Sequence, residues 1–239
     1  MPYLLLALLL IAIGALLIAC RRAQVADWGR GWLNLIDGLN RLFCRYWHRL
    51  PPTRLPLPES GPVVLAANHH SGLDPLLLIA ASPRPLRFLI AREEYRRFGL
   101  NWLFRAVGCI PVDRGGRPER ALRAALEALQ RGEVVALFPH GGIHLDDAPP
   151  RPLKRGVAWL AERSAAPLLP VRIAGIAGLG RVLPAVFLRS RARLTAGTVL
   201  QCREGETETC LHALAEWIEA VRAGEGVQES AVHGSKVDG

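Results

Sequence analysis

"PVVLAANHHSGLDPLLLIAA", residues 62–81, holds the pattern that decides the fold. A short apolar run, "VVLAA" (63–67), has the length of a buried strand. The second run, "LLLIAA" (76–81), follows Asp74 and Pro75, which match an N-cap with proline in the first helical turn. Between them stand Asn68, His69, His70, Ser71 and Asp74, a polar knot in an apolar setting. Buried polar groups without partners are costly, so the knot needs a purpose.

The same strand–turn–helix alternation recurs downstream. Further strands are expected at "LRFLIA" (86–91), "CIPV" (109–112), "VVALF" (134–138), "LLPVRI" (168–173) and "RLTAGTVL" (193–200). Helices are expected over 75–81, 93–106, 117–131, 153–165 and 208–222. This order predicts an α/β fold with a mostly parallel central sheet covered by helices. Such sheets bind ligands at the carboxyl ends of their strands. His69, Arg114 and His140 each fall just after a predicted strand, so one edge of the sheet is positioned to gather them.

The amino-terminal part reads differently. Residues 3–20, "YLLLALLLIAIGALLIAC", carry no charge, and Arg21 and Arg22 follow directly. A helix of that length rises about 27 Å, near the thickness of a bilayer core. The basic pair comes after the apolar run, whereas a cleaved signal carries its positive charge before it. A retained anchor over 1–24 with the rest of the chain in the cytoplasm is therefore expected. Trp28, Trp32, Leu35, Ile36, Leu39, Leu42, Phe43, Tyr46 and Leu50 recur at helical spacing among arginines, with Trp47 beside them. That pattern fits a helix at a membrane interface or one packed on the globular part. "LPPTRLPLPESGP" (50–62), with five prolines, reads as a linker that closes the 25–61 segment. The main domain is expected over 62–223 and a disordered tail over 224–239.

Half of the 239 residues are hydrophobic, and net charge is +9 from 30 Lys+Arg against 21 Asp+Glu. The excess points to an anionic partner or to arginine-rich codon usage. No nucleic-acid recognition motif accompanies it, and a membrane anchor opposes that reading. Cys20, Cys44, Cys109, Cys202 and Cys210 are odd in number and irregular in spacing, so neither a disulfide framework nor a structural zinc site is expected. Reduced thiols in a cytosol-facing domain fit that count.

A histidine five residues before an aspartate, across a strand-to-helix turn, places imidazole and carboxylate within hydrogen-bonding reach. The carboxylate then fixes the ring's tautomer, and the ring acts as a general base. With this arrangement in view, "NHHSGLD" (68–74) resembles the NHxSxxD motif of the glycerolipid acyltransferases, the family of lysophosphatidic acid acyltransferase. "FLIARE" (88–93), "GCIPVDR" (108–114), "FPHGG" (138–142), "LKRGVAWLA" (153–161) and "LLPVRI" (168–173) are similar to that family's later blocks, in its order.

The resemblance implies that His69 takes a proton from an acceptor hydroxyl, with Asp74 orienting it, and that the oxygen attacks an acyl thioester. Acyl-CoA or acyl-ACP would be the co-substrate, with no further cofactor. Asn68, Ser71, Arg92, Arg114, His140, Gly141 and Gly142 would bind substrate, the arginines through phosphate. A lysophospholipid or related lysolipid would be the acceptor, at a bacterial inner membrane crossed once by the anchor. Where the family carries FPEGTR, this chain has His140, Gly142 and Ile143 in place of Glu, Thr and Arg, which puts recognition of a lysophosphatidic acid phosphate in doubt. The acetyltransferase and condensation-domain motif HHxxxDG fits less well, because Pro75 replaces its glycine. Two other readings remain: a metal-dependent hydrolase using His69, His70, Asp74, His140, His144 and Asp146, and a non-catalytic lipid-binding protein, which a His69–Asp74 pair would oppose. The sequence gives no sign of oligomeric state.

Overall fold

The chain runs through α1 (Pro2–Ala23), α2 (Gly31–Tyr46), β1 (Val63–Ala67), α3 (Asp74–Ala81), β2 (Leu86–Ala91), α4 (Arg92–Tyr95), α5 (Asn101–Ala106) and β3 (Ile110–Val112). It continues with α6 (Pro118–Gln130), β4 (Val134–Leu137), α7 (Gly156–Ser164), β5 (Leu168–Ala174), α8 (Leu183–Phe187), β6 (Arg193–Ala196) and α9 (Thr207–Ala223). This computed structural model describes residues 2–97, 99–116 and 118–223. The 224–239 tail lies outside the described residues.

All five residues of β1 are buried. Side chains alternate along a strand, so this burial requires cover on both faces. Val63, Leu65 and Ala67 join Leu73, Leu77 and Leu78 from the α3 side and Cys44 from α2. Val64 and Ala66 meet Ala121 and Ala125 of α6, Val157 and Leu160 of α7, and Leu214 of α9. Helices α3, α6, α7 and α9 present apolar side chains to these two cores, and β1 lies at the centre of both.

The strand order is β3-β2-β4-β1-β5-β6. β1 pairs in parallel with β4 and β5, and β2 pairs in parallel with β3 and β4. Among the described strands, only β6 runs antiparallel, against β5. The carboxyl ends of five parallel strands therefore open on one edge, the mostly parallel α/β arrangement expected. The expected 93–106 helix is divided into α4 and α5, and Gly99 between them takes φ 81°, a left-handed conformation that a continuous helix excludes. Helix α8 had no counterpart in the sequence reading, because its five residues are too few to show a period.

Helix α1 is long and apolar enough to cross a membrane, and only 6 % of its most apolar window is buried. Its carboxyl end crosses α2 closely: a Cβ added at Gly38 would lie 1.9 Å from the Cys20 carbonyl oxygen. Only glycine fits there. Helix α2 packs on α3, with the Asn40 amide donating to Leu76 O (2.9 Å) and Arg41 to Ala80 O (2.7 Å). Buried Asp37 accepts from Arg41, from the Val25 backbone N–H and from the Trp28 indole. Trp32, Leu39, Tyr46 and Trp47 stay exposed. Helix α2 thus packs on the domain and also offers an apolar outer face, so the two readings of this segment are compatible.

The expectation of wholly reduced cysteines is corrected at one place. Cys202 and Cys210 are bonded, because the turn into α9 brings their Cα atoms to 5.4 Å, within the usual span of a disulfide. Cys20, Cys44 and Cys109 are free and buried. Burial pushes the Cys44 and Cys109 thiols up to about 12, which leaves them protonated and unreactive.

Candidate active site

Strand β1 ends at Ala67, and the chain turns through residues 68–73 before α3 begins at Asp74. The turn folds back on the Asp74 carboxylate, which is fully buried. Oδ2 accepts from His69 Nδ1 (2.8 Å), from the His70 backbone N–H (2.6 Å) and from the Ser71 backbone N–H (2.9 Å). Oδ1 accepts from the Ser71 hydroxyl (3.1 Å). Asp74 therefore does not cap the helix as its position before Pro75 suggested; its carboxylate organises the preceding turn.

A carboxylate only accepts, so His69 Nδ1 carries the hydrogen and Nε2 is left bare to take a proton. The His69 side chain is 17 % exposed, so it is held and still accessible. Its ring stacks on Phe138 at 3.9 Å between centroids, and Phe138 directly follows β4. The carboxyl ends of β1 and β4 thus meet at His69, as their pairing requires.

A second network surrounds the first. His70 Nε2 donates to Asp146 Oδ1 (3.1 Å), and buried Arg172 of β5 pairs with Asp146 Oδ2. Burial opposes ionisation of Asp146, but the Arg172 hydrogen bond and the charges of His70 and Arg172 outweigh it and hold the carboxyl below its usual range. The His144 N–H also donates to His69 O (2.8 Å). The loop after β4 is therefore tied to the histidine turn at two points. On the other side, Gly180 N–H donates to His70 O (2.9 Å) and Gly72 N–H to Arg181 O (3.0 Å). A Cβ at Gly72 would lie 2.5 Å from Val182 O, so the strap over 178–182 requires glycine at that point.

The remaining candidate residues fall into three groups. Asn68 and Ser71 are buried and satisfied by the protein: Asn68 pairs with both the N–H and the C=O of Ile173, and Ser71 serves Asp74. Both side chains position the turn. Arg114 is exposed, with its guanidinium about 4 Å from where a Gly142 Cβ would stand, while Lys154 Cε lies 3.3 Å from that point at Gly141, whose φ is 74°. Both cations thus border the glycine pair. Arg92, just past β2, forms an exposed ion pair with Asp113 at 3.0 Å.

His140 is 8 % exposed, and its Nδ1 has no hydrogen-bond partner. Burial, with the positive field of His144 and Arg151, pushes it down to about 4, so it is neutral at physiological pH. Its ring lies 4.5 Å from that of His144. Among the described residues, no group of three or more His, Cys, Asp and Glu side chains is disposed to hold a metal ion. The histidines are drawn instead to Asp74, Asp146 and one another.

A family model described as Acyltransferase matches residues 53–174, the span that holds this whole cluster from Asn68 to Arg172. The chain belongs to that acyltransferase family. This acyltransferase is 34% identical over 124 residues, 48% of its length, to an N-acylphosphatidylethanolamine synthase of Arabidopsis thaliana. It is 27% identical over 120 residues, 50% of its length, to a 1-acyl-sn-glycerol-3-phosphate acyltransferase of Bacillus subtilis. The matches span 43% and 59% of those relatives, so the chain covers about half the length of these curated relatives. The crystal structure of the 1-acyl-sn-glycerophosphate (LPA) acyltransferase PlsC from Thermotoga maritima shares the fold, with a TM-score of 0.62 at 20% identity over 82% of this chain and 83% of that one.

Within this acyltransferase, sequence reasoning found the His69–Asp74 pair but not its support. Asp146 entered only as a conceivable metal ligand, and Arg172 was not singled out. The available signal was a lone arginine inside the apolar run "LLPVRI", where a buried charge demands a partner. Gly72 was unread, since its close approach to Val182 joins residues far apart in sequence.

Proposed function

We propose that this acyltransferase moves a fatty acyl group from an acyl thioester, acyl-CoA or acyl-ACP, to the hydroxyl of a lysophospholipid or related lysolipid. The observation that carries the reading is the 2.8 Å bond from His69 Nδ1 to the buried Asp74 carboxylate, which leaves Nε2 bare. Nε2 takes the acceptor's hydroxyl proton as its oxygen forms a bond to the thioester carbonyl carbon. The tetrahedral intermediate then collapses, the carbon–sulfur bond breaks, and the His69 imidazolium returns the proton to the leaving thiolate. Asp74 orients the ring and stabilises its charged form. No covalent acyl-enzyme and no cofactor are needed for this sequence.

The third block favours an acceptor other than lysophosphatidic acid. His140 is neutral where the family has a carboxylate, and Ile143 stands where it has an arginine. Loss of a bidentate phosphate partner is worth about 1.5–3 kcal/mol, roughly 10- to 150-fold in affinity. Arg114 and Lys154 flank Gly142 and Gly141 and offset part of that loss. A lysophospholipid with a larger headgroup, or an amino-acid lysolipid, is the expected better acceptor.

Steady-state kcat/KM over a panel of acceptors, with acyl-CoA and acyl-ACP as donors, tests both points. Absence of transfer to any lysolipid contradicts the reaction; a clear preference for lysophosphatidic acid contradicts the acceptor assignment. Helix α1 crosses a bacterial inner membrane once, with the domain on the cytoplasmic side, because Arg21 and Arg22 flank its inner end. Reporter fusions that place residue 60 outside the cytoplasm contradict that orientation.

A further inference from the structure

Outside the catalytic cluster, a cavity of about 480 Å³ opens between the end of α2 and the segment after α8. Three arginines line it: Arg49, Arg189 and Arg191, with Ser190 among them and no carboxylate in the lining. Among the described residues, none of the three guanidinium groups has a salt-bridge partner. Three exposed arginines without a counter-ion share this concavity, which favours an anion there.

The cavity is held by fixed contacts. His48 Nε2 donates to Val186 O (3.0 Å), the Trp47 indole to Phe187 O (3.1 Å), and the Ala192 N–H to His48 O (2.9 Å). Ser190 Oγ accepts from the Ala177 N–H (3.0 Å), and the Arg191 N–H donates to Gly175 O (3.0 Å). Arg49, three residues beyond α2, takes φ 50°, and the Leu50 N–H bonds back to Cys44 O (3.0 Å). Glycine or asparagine is usual in a left-handed conformation, and an arginine there carries a conformational cost. An anion between the arginines gives that choice a purpose.

The rim shows where the anion comes from. Phe187 is 70% exposed, and Leu183, Leu188 and Trp47 are also exposed. The Arg189 guanidinium lies over the Trp47 ring, 5.1 Å from its centroid. Tryptophan, exposed aliphatic side chains and arginine together are the composition of a membrane interface. Trp47 is nine residues along from Gly38, where α1 meets α2, so about 14 Å separates the rim from the root of the membrane-crossing helix.

We propose that this cavity binds the phosphodiester headgroup of an anionic bilayer phospholipid, with Phe187, Leu183 and Trp47 seated among its acyl chains. The lipid acts as a docking ligand and is not the acceptor, because none of the residues lining the cavity belongs to the His69 cluster. The contact seats the 178–182 strap, which bonds His70 and Gly72, against the membrane. The proposal rests on the membrane placement proposed above.

The test uses the full chain in nanodiscs of phosphatidylcholine, alone or with phosphatidylglycerol, with a photo-crosslinking benzophenone residue at Phe187. Mass spectrometry of the adducts is expected to show phosphatidylglycerol well in excess of its share. Each Arg→Gln change at 49, 189 or 191 is expected to weaken that preference about five-fold, and the triple variant on the order of 100-fold. Acyl transfer in phosphatidylcholine alone stays unchanged, which separates failure of this site from failure of the catalytic reading. Adducts without headgroup preference, or a preference that survives the triple change, overturn the proposal. Single variants decide the matter should the triple variant not fold. Competition by inorganic phosphate reassigns the site to a soluble anion and overturns the lipid source.

Discussion

Asp74→Asn separates the two tasks assigned to that carboxylate, orientation and charge. Oδ2 accepts from two backbone N–H groups as well as from His69 Nδ1, and those groups can only donate. The amide oxygen of the variant must therefore occupy the Oδ2 position. The amide nitrogen then faces the Ser71 hydroxyl, which has a lone pair to offer. His69 keeps its tautomer and its orientation, and only the negative charge is lost. A unit charge about 4 Å from the imidazolium at an effective dielectric near 20 is worth about 4 kcal/mol. That energy corresponds to a fall in kcat on the order of 10³-fold, with KM nearly unchanged. Four charge-assisted bonds become neutral ones, partly offset by the lower cost of burying an amide, for a net destabilisation of about 1–3 kcal/mol. Thiol release from acyl-CoA in the presence of lysolipid measures kcat, and thermal melting by circular dichroism verifies the fold. A folded variant that keeps kcat within about tenfold of the parent refutes the argument that the Asp74 charge stabilises the transition state.

Two further predictions follow from packing and from protonation. Gly72→Ala places a Cβ 2.5 Å from Val182 O, so the strap must move. Its expected effects are a loss of about 1–3 kcal/mol, read as a lower melting temperature, and a fall in kcat of order 10²-fold from displacement of the histidine turn; an unchanged melting curve contradicts the close approach. His140 has its folded value pushed from 6.5 to about 4, so between those limits the unfolded chain binds the extra proton. The stability it contributes is complete above about pH 6.5 and is lost as pH falls through about 4. The melting temperature of the parent is therefore expected to fall relative to that of His140→Gln as pH is lowered through this window, and parallel curves contradict a buried neutral His140.

The sheet was legible because its central strands β1, β4 and β5 are covered on both faces and read as short, largely apolar runs. "VVLAA" and "LRFLIA" coincide with β1 and β2 at both ends. The His69–Asp74 pair was legible because its partners lie five residues apart across one turn. What escaped notice depends on contacts between distant segments. Asp146 meets His70 and Arg172 only after β4 and β5 flank β1, and Gly72 meets Val182 only after the strap folds over the turn. The cavity at Arg49, Arg189 and Arg191 likewise joins the end of α2 to residues beyond α8. Helix periodicity located α2 but left its packing undecided, because a stripe of tryptophan and leucine suits a core and a membrane interface equally. The Cys202–Cys210 bond was missed because counting cysteines says nothing of the turn that brings these two together.

The central claim is that His69 is the general base of acyl transfer from a thioester to a lysolipid. Its most direct test is single-turnover acyl transfer by purified, membrane-reconstituted parent and His69→Ala proteins, with the acylated lipid product and free thiol quantified together. The account predicts stoichiometric lipid product and thiol from the parent, and from a folded His69→Ala protein a rate lower by at least about 10³-fold. Product formation by His69→Ala at a rate near that of the parent would contradict it.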